Sequence, residues 1–170
     1  MHKKIQDLEP KALWEIFYQI TQIPRPSYHE DQIGAFILRF AQEHGLQAQM
    51  DAVGNVIIDV PATADKKDSP TVIMQGHMDM VPMKAEGLEF NFQTDPINAF
   101  IDGDFIRADR TTLGADNGIA IAIVLALLSD KSLSHGPLRA IFTVEEEVTM
   151  NGAINLDPKY LDAKYLINLD

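Results

Sequence analysis

Residues 71–81 read TVIMQGHMDMV. The run 71–75 is short and apolar, as suits a strand buried on both faces at the centre of a sheet. It runs directly into His77 and Asp79. Two positions apart on an extended chain, their side chains point to the same side. His77 can then ligate a metal through one ring nitrogen. Asp79 can accept a hydrogen bond from the other, or orient a nearby reacting group. The same three residues also fit a histidine packed at a strand end beside a solvated aspartate, since three-residue patterns are common.

The chain on either side alternates helices with apolar strands. A first helix is expected from Pro10, a residue suited to a first turn, with Leu13, Ile16, Phe17 and Ile20 at helical spacing, ending before Pro24. A second follows Ser27 and Glu30, which have the spacing of a capping box, and carries Ile33, Phe36, Ile37 and Phe40 up to Gly45. Segments 47–51 and 55–60 read as a hairpin, and 104–108 as a strand entered through IDGD. A largely buried helix is expected from Asp116 or Asn117 through IAIAIVLALLSD. Segments 138–144 and 165–169 read as two more buried strands. The polar stretch 61–70, bounded by prolines, reads as a surface loop. This pattern predicts an α/β layered fold, and residues 1–170 show no repeat or interdomain linker.

Composition narrows the function. The 170 residues are 46% hydrophobic and 23% charged, as in ordinary globular domains. A net charge of −11 argues against binding a nucleic-acid backbone but is compatible with metal cations. With no cysteine, disulfides, thiolate metal sites and cysteine nucleophiles are excluded. No apolar run after MHKKIQDLEP resembles a signal peptide, and the longest, 119–128, falls well short of the roughly 20 residues needed to span a bilayer. The expectation is a soluble cytoplasmic protein with neither membrane nor nucleic-acid partner.

Ligands of open α/β sheets collect beyond the carboxyl ends of the strands. Four such places here carry acids or histidine. Besides His77 and Asp79, Asp116 lies in TTLGADNGIA, where it could cap the buried helix or bridge two metal ions. In FTVEEEV, Glu145, Glu146 and Glu147 form either a solvated acidic loop or a set whose repulsion a dication would relieve. Asp170 ends YLINLD and reads as a ligand or as a frayed terminus. Hard oxygens with one imidazole suit zinc or manganese. An EF-hand is excluded, because neither IDGD nor GADNG continues with the required oxygen spacing.

IPRPSYHE, MQGHMDMVP, DPINAFIDGD, TTLGADNGIA and EEEV followed by MNGA together resemble the aminoacyl-histidine dipeptidase (peptidase D) family of M20 metallopeptidases, over nearly the whole chain. The resemblance implies a mixed sheet flanked by helices and two zinc ions, with Co2+ or Mn2+ as substitutes. It makes His77 and Asp170 ligands of one zinc, Asp116 the bridge and Glu147 a ligand of the second. Asp79 becomes the orienting acid and Glu146 the general base. The family often has a cis peptide after the bridging aspartate. One departure is Thr149, where the family usually has glycine.

The implied activity is hydrolysis of short peptides, preferentially Xaa-His dipeptides, by metal-bound hydroxide, in a protein that forms homodimers at full length. Family members continue well past the position of Asp170. The resemblance therefore places residues 1–170 as the N-terminal part of a truncated catalytic domain, without the lid or dimerisation domain and the last histidine ligand. Two other readings stand beside it: a metal-binding or structural module without turnover, and a related M20 aminoacylase or tripeptidase.

Overall fold

The computed structural model describes residues 4–170. The expected helices form as α1 (Lys11–Thr21), α2 (Asp31–Glu43) and α3 (Ala115–Ser129), followed by a short α4 (Asn151–Ile154) and a 3₁₀ turn at Pro158–Leu161. Strands β1 (Gln47–Met50), β2 (Val56–Val60), β3 (Val72–His77), β6 (Leu138–Thr143) and β7 (Tyr165–Asn168) make one sheet in the order β1-β2-β6-β3-β7. The β1/β2 and β2/β6 pairs are antiparallel, while β6/β3 and β3/β7 are parallel. β4 (Ala99–Asp102) and β5 (Phe105–Ala108) form a separate hairpin. The strand expected at 104–108 therefore exists but does not join the main sheet.

The two-residue period of the strands sorts their side chains between two faces. Val56, Ile58, Val60, Met74, Ala140 and Phe142 face the main core, which α1, α2 and α3 cover. Ile57, Ile73 and Ile141 face the other side and meet Tyr160 of the 3₁₀ turn. Each of the Val, Ile, Met and Phe side chains contributes about 1.5–3 kcal/mol when fully buried. The result is a mixed sheet flanked by helices.

Two expectations are corrected. β7 is not buried: Tyr165, Leu166 and Ile167 are each about half exposed (52%, 51% and 48%). Among the described residues β7 pairs with β3 alone. An apolar run reads the same at an edge as at the centre, because local pattern does not encode neighbours. The second correction concerns the start of α3. Gly114, at φ +72, is its N-cap, and Asp116 and Asn117 have non-helical dihedrals. The regular helix resumes after Asn117, and the Asp116 carboxylate, with Oδ1 2.9 Å from His77 Nε2, takes no bond from a helix N–H.

Candidate metal centre

Because β3, β6 and β7 run parallel, their carboxyl ends come level at one end of the sheet. His77 ends β3 opposite Thr143, the last residue of β6. Glu145–Glu147 follow Thr143, Asp170 follows β7, and the start of α3 brings Asp116 across. Ligand atoms of His77, Asp116 and Glu147 lie within 4.8 Å of one another, and so do those of His77, Glu146 and Asp170. The five sequence-predicted candidates thus meet around one imidazole. The resemblance pairs His77 with Asp170 and Asp116 with Glu147, whereas the geometry shares His77 between two groups and sets Glu146 beside Asp170.

His77 is 1% exposed. Its Nδ1 lies 3.2 Å from Asp79 Oδ1 and 3.1 Å from the Asp79 carbonyl, so it must donate. Its Nε2 lies 2.9 Å from Asp116 Oδ1 and within 4 Å of Glu146 and Asp170. Burial alone would lower its pKa, but the hydrogen bond and charge of Asp79, together with Asp116 and Asp170, push it up to about 9. The Asp116–Asn117 peptide is cis. Asn117 ties the cluster together: its Oδ1 accepts the His77 N–H at 3.1 Å and its Nδ2 donates to Asp170 Oδ1 at 3.1 Å. Gly76 leaves room for this, since a Cβ there would collide with Asn117 Oδ1.

Asp79 is fully buried. Its carboxylate accepts from Ser27 Oγ (2.7 Å), from His77 Nδ1, and from the backbone N–H groups of Glu146 (3.0 Å) and Glu147 (3.2 Å). Burial opposes its charge, yet these donors hold its carboxyl below the usual carboxylate range. Burial and the neighbouring Asp116 charge push Glu147 up. Among the described residues, the ion-pair partner of Asp116, Glu146 and Asp170 is His77 alone. Crowded oxygens with one imidazole and so little cationic compensation fit a bound dication.

Ser27 and Glu30 do not form the expected capping box. Glu30 occupies the N-cap of α2 without a side-chain cap bond. Ser27 donates to Asp79, and Glu30 Oε1 accepts the Glu145 N–H at 3.0 Å. Distant partners have taken both side chains. Glu145 turns away from the cluster, with its carboxylate bound by Thr149 Oγ1 (2.6 Å) and Asn151 Nδ2 (3.2 Å).

Sequence reasoning assigned no role to Arg25 or Asn55. Arg25 is 2% exposed and donates to the carbonyls of Met78 (2.8 Å), Asp79 (3.0 Å) and Gly114. Burial lowers its pKa to about 10, against the charges of Asp79 and Asp116, so it stays cationic at neutral pH. Asn55, fully buried, donates to the Gly152 carbonyl (2.9 Å) and to Asp51 (2.8 Å) and accepts the Val144 N–H (3.2 Å). The one sequence signal for the first was its place within IPRPSYHE.

No family model matches the chain. It is 45% identical over 167 residues to cytosol non-specific dipeptidase of Escherichia coli (strain K12), covering 98% of this chain and 34% of that protein. The crystal structure of aminoacylhistidine dipeptidase from Vibrio alginolyticus superposes with a TM-score of 0.95 at 42% identity, covering 98% of this chain and 34% of that one. The fold is that of the M20 peptidases. A dinuclear metal-binding peptidase of the M20 family from Bacillus subtilis has the same fold at 20% identity and a TM-score of 0.51, covering 79% of this chain and 35% of that one. The chain spans about a third of the length of these M20 relatives. The resemblance read from HMDMVP, TTLGADNG and EEEV thus rests on an M20 fold that carries these stretches at one end of its sheet. No helix among the described residues is long and apolar enough to cross a membrane.

Proposed function

We propose that His77, Asp116, Glu147 and Asp170 hold two zinc ions, with Co2+ or Mn2+ as substitutes. In this reading residues 1–170 are the N-terminal part of a dipeptidase catalytic domain acting on short peptides, preferentially Xaa-His dipeptides. One observation carries the proposal: five candidate side chains from four segments come within 4.8 Å of one another in two groups around His77. The names of the similar proteins, a cytosol dipeptidase, an aminoacylhistidine dipeptidase and a dinuclear metal-binding peptidase, support the substrate, the metal count and a cytoplasmic setting.

The chemistry that bound zinc supplies is Lewis-acid polarisation of a carbonyl and acidification of water. The protein's own groups do the rest. Asp79 keeps the His77 proton on Nδ1, leaving Nε2 free as a ligand atom. Glu146 is the general base, taking the proton of the attacking water on its carboxylate and passing it to the leaving amine. The Glu146 and Glu147 backbone is held by Asp79, so base and ligand share one support. The lid and dimerisation domain of the homodimeric enzyme lie outside residues 1–170 in this reading.

Zinc-dependent hydrolysis of a histidine-terminated dipeptide, with Glu146→Gln as control, tests the proposal. Turnover that needs zinc and vanishes in the variant is expected. A Glu146→Gln protein with wild-type turnover would falsify the base assignment. A second reading is a metal-binding module without turnover. Zinc binding without hydrolysis would select it.

A further inference from the structure

The segment 24–30 contributes none of the candidate ligands, yet it reaches all of the internal segments that do. Met80 N–H donates to the Arg25 carbonyl at 3.1 Å, and Pro26 bridges to Met80 in parallel. Ser27 binds Asp79 and Glu30 binds the Glu145 N–H. Arg25 has the widest reach. Nη1 spans the carbonyls of Met78 and Asp79, just beyond β3, while Nη2 takes the carbonyl of Gly114, two residues before Asp116. A planar guanidinium offers donors in a fixed fork. Two carbonyls on one segment and one on another therefore set the distance between the loop after His77 and the loop before Asp116.

The packing around the fork is closed. Arg25 is 2% exposed, and a Cβ at Gly114 or Gly118 would lie 2.6 or 2.7 Å from its Nη2. Two glycines thus make the floor on which the guanidinium rests. Their absence of side chains is needed for the fork to reach the Gly114 carbonyl.

We infer that Arg25 is a positioning residue for the metal centre: its guanidinium, seated against Gly114 and Gly118, sets the spacing between His77 and Asp116. This rests on the metal reading above, and the role is exerted through those two residues rather than by contact with metal or substrate.

Two variants separate it from a general structural role. Arg25→Lys keeps the buried charge but loses the fork. Gly118→Ala keeps Arg25 but crowds Nη2, and it replaces glycine in a helix by a better helix former. The measurement is Co2+ titration of the full chain, read by visible absorption, with far-UV circular dichroism and thermal melting as checks on the fold.

Both variants are expected to fold, Gly118→Ala with a lowered melting point because overpacking a closed site outweighs the gain in helix propensity. Each is expected to bind Co2+ roughly tenfold more weakly and with an altered absorption envelope, as when a support of a metal ligand is lost. A folded variant of either kind with the wild-type spectrum and affinity overturns the inference. So does a Gly118→Ala protein that does not fold, since the Arg25 seat would then serve the fold itself. Should Arg25→Lys fail to fold, Gly118→Ala decides. A wild-type protein that gives no Co2+ spectrum overturns the metal reading and this inference with it. A normal wild-type spectrum that both variants share overturns the positioning role alone.

Discussion

Asp79 accepts the backbone N–H of Glu146 at 3.0 Å, joining positions 67 residues apart. The carboxylate that steadies the His77 ring therefore also sets the turn carrying the candidate base. Ser27 and the Glu147 N–H complete its shell. With four donors converging on it, Asp79 can be replaced only at a cost.

Asp79→Asn turns one acceptor oxygen into a donor facing other donors. The loss expected is about 2 kcal/mol of stability, typical of a buried hydrogen-bonding group left without a partner. Zinc affinity should fall roughly 10- to 100-fold as the ring and the Glu146–Glu147 turn lose their support. Urea denaturation and zinc titration check both. Unchanged values in both would show that Asp79 supports neither.

His77 belongs to both ligand groups, so His77→Ala should cost at least one of two bound zinc ions. Glu146→Gln should keep both while slowing turnover by roughly 10²- to 10⁴-fold, the usual worth of a general base. Metal content after dialysis separates the two roles. Loss of a zinc from Glu146→Gln would make Glu146 a ligand, in line with its place beside His77 and Asp170.

Asn55 stands outside the cluster but pins its acidic turn. In Asn55→Ala the Val144 N–H and the Gly152 carbonyl lose their partner in a buried place. A destabilisation of about 3 kcal/mol is expected from two such groups. Equilibrium unfolding tests it, and a change within 0.5 kcal/mol, about what a surface substitution gives, would mean the turn is held without Asn55.

Zinc should stabilise the folded chain. A ligand at 100 times its Kd contributes about 2.7 kcal/mol. In a domain of this size that raises the melting midpoint by roughly 5–10 °C. Scanning calorimetry with zinc, and again after a chelator, measures it. A midpoint indifferent to both would remove the metal centre.

Much of the fold is legible locally. The period of Ile33, Phe36, Ile37 and Phe40 makes α2, and all four are buried as that period requires. The apolar runs at 71–75 and 138–144 become β3 and β6, each buried between strands. The site candidates were legible because acids and a histidine follow directly on such runs, where open α/β sheets gather ligands. Less visible were the residues that support them. Ser27 and Glu30 have the spacing of a local cap, and nothing nearby in the chain shows that Asp79 and Glu145 compete for them. Nothing in the neighbouring residues shows that Arg25 is buried among three carbonyls.

The sequence by itself determined most of the helices and strands, β4 and α4 excepted, and which polar residues stand at their ends, because periodicity and adjacency are properties of neighbouring positions. Tertiary structure decided that β6 lies between β2 and β3, that β7 pairs with β3, and that His77 meets Asp116, Glu146, Glu147 and Asp170. It also decided that Arg25, Ser27 and Glu30 turn toward those segments. These outcomes depend on which strands pair and on which buried donor finds which acceptor. The partners are tens of positions apart, and only the packed chain brings them within hydrogen-bonding distance.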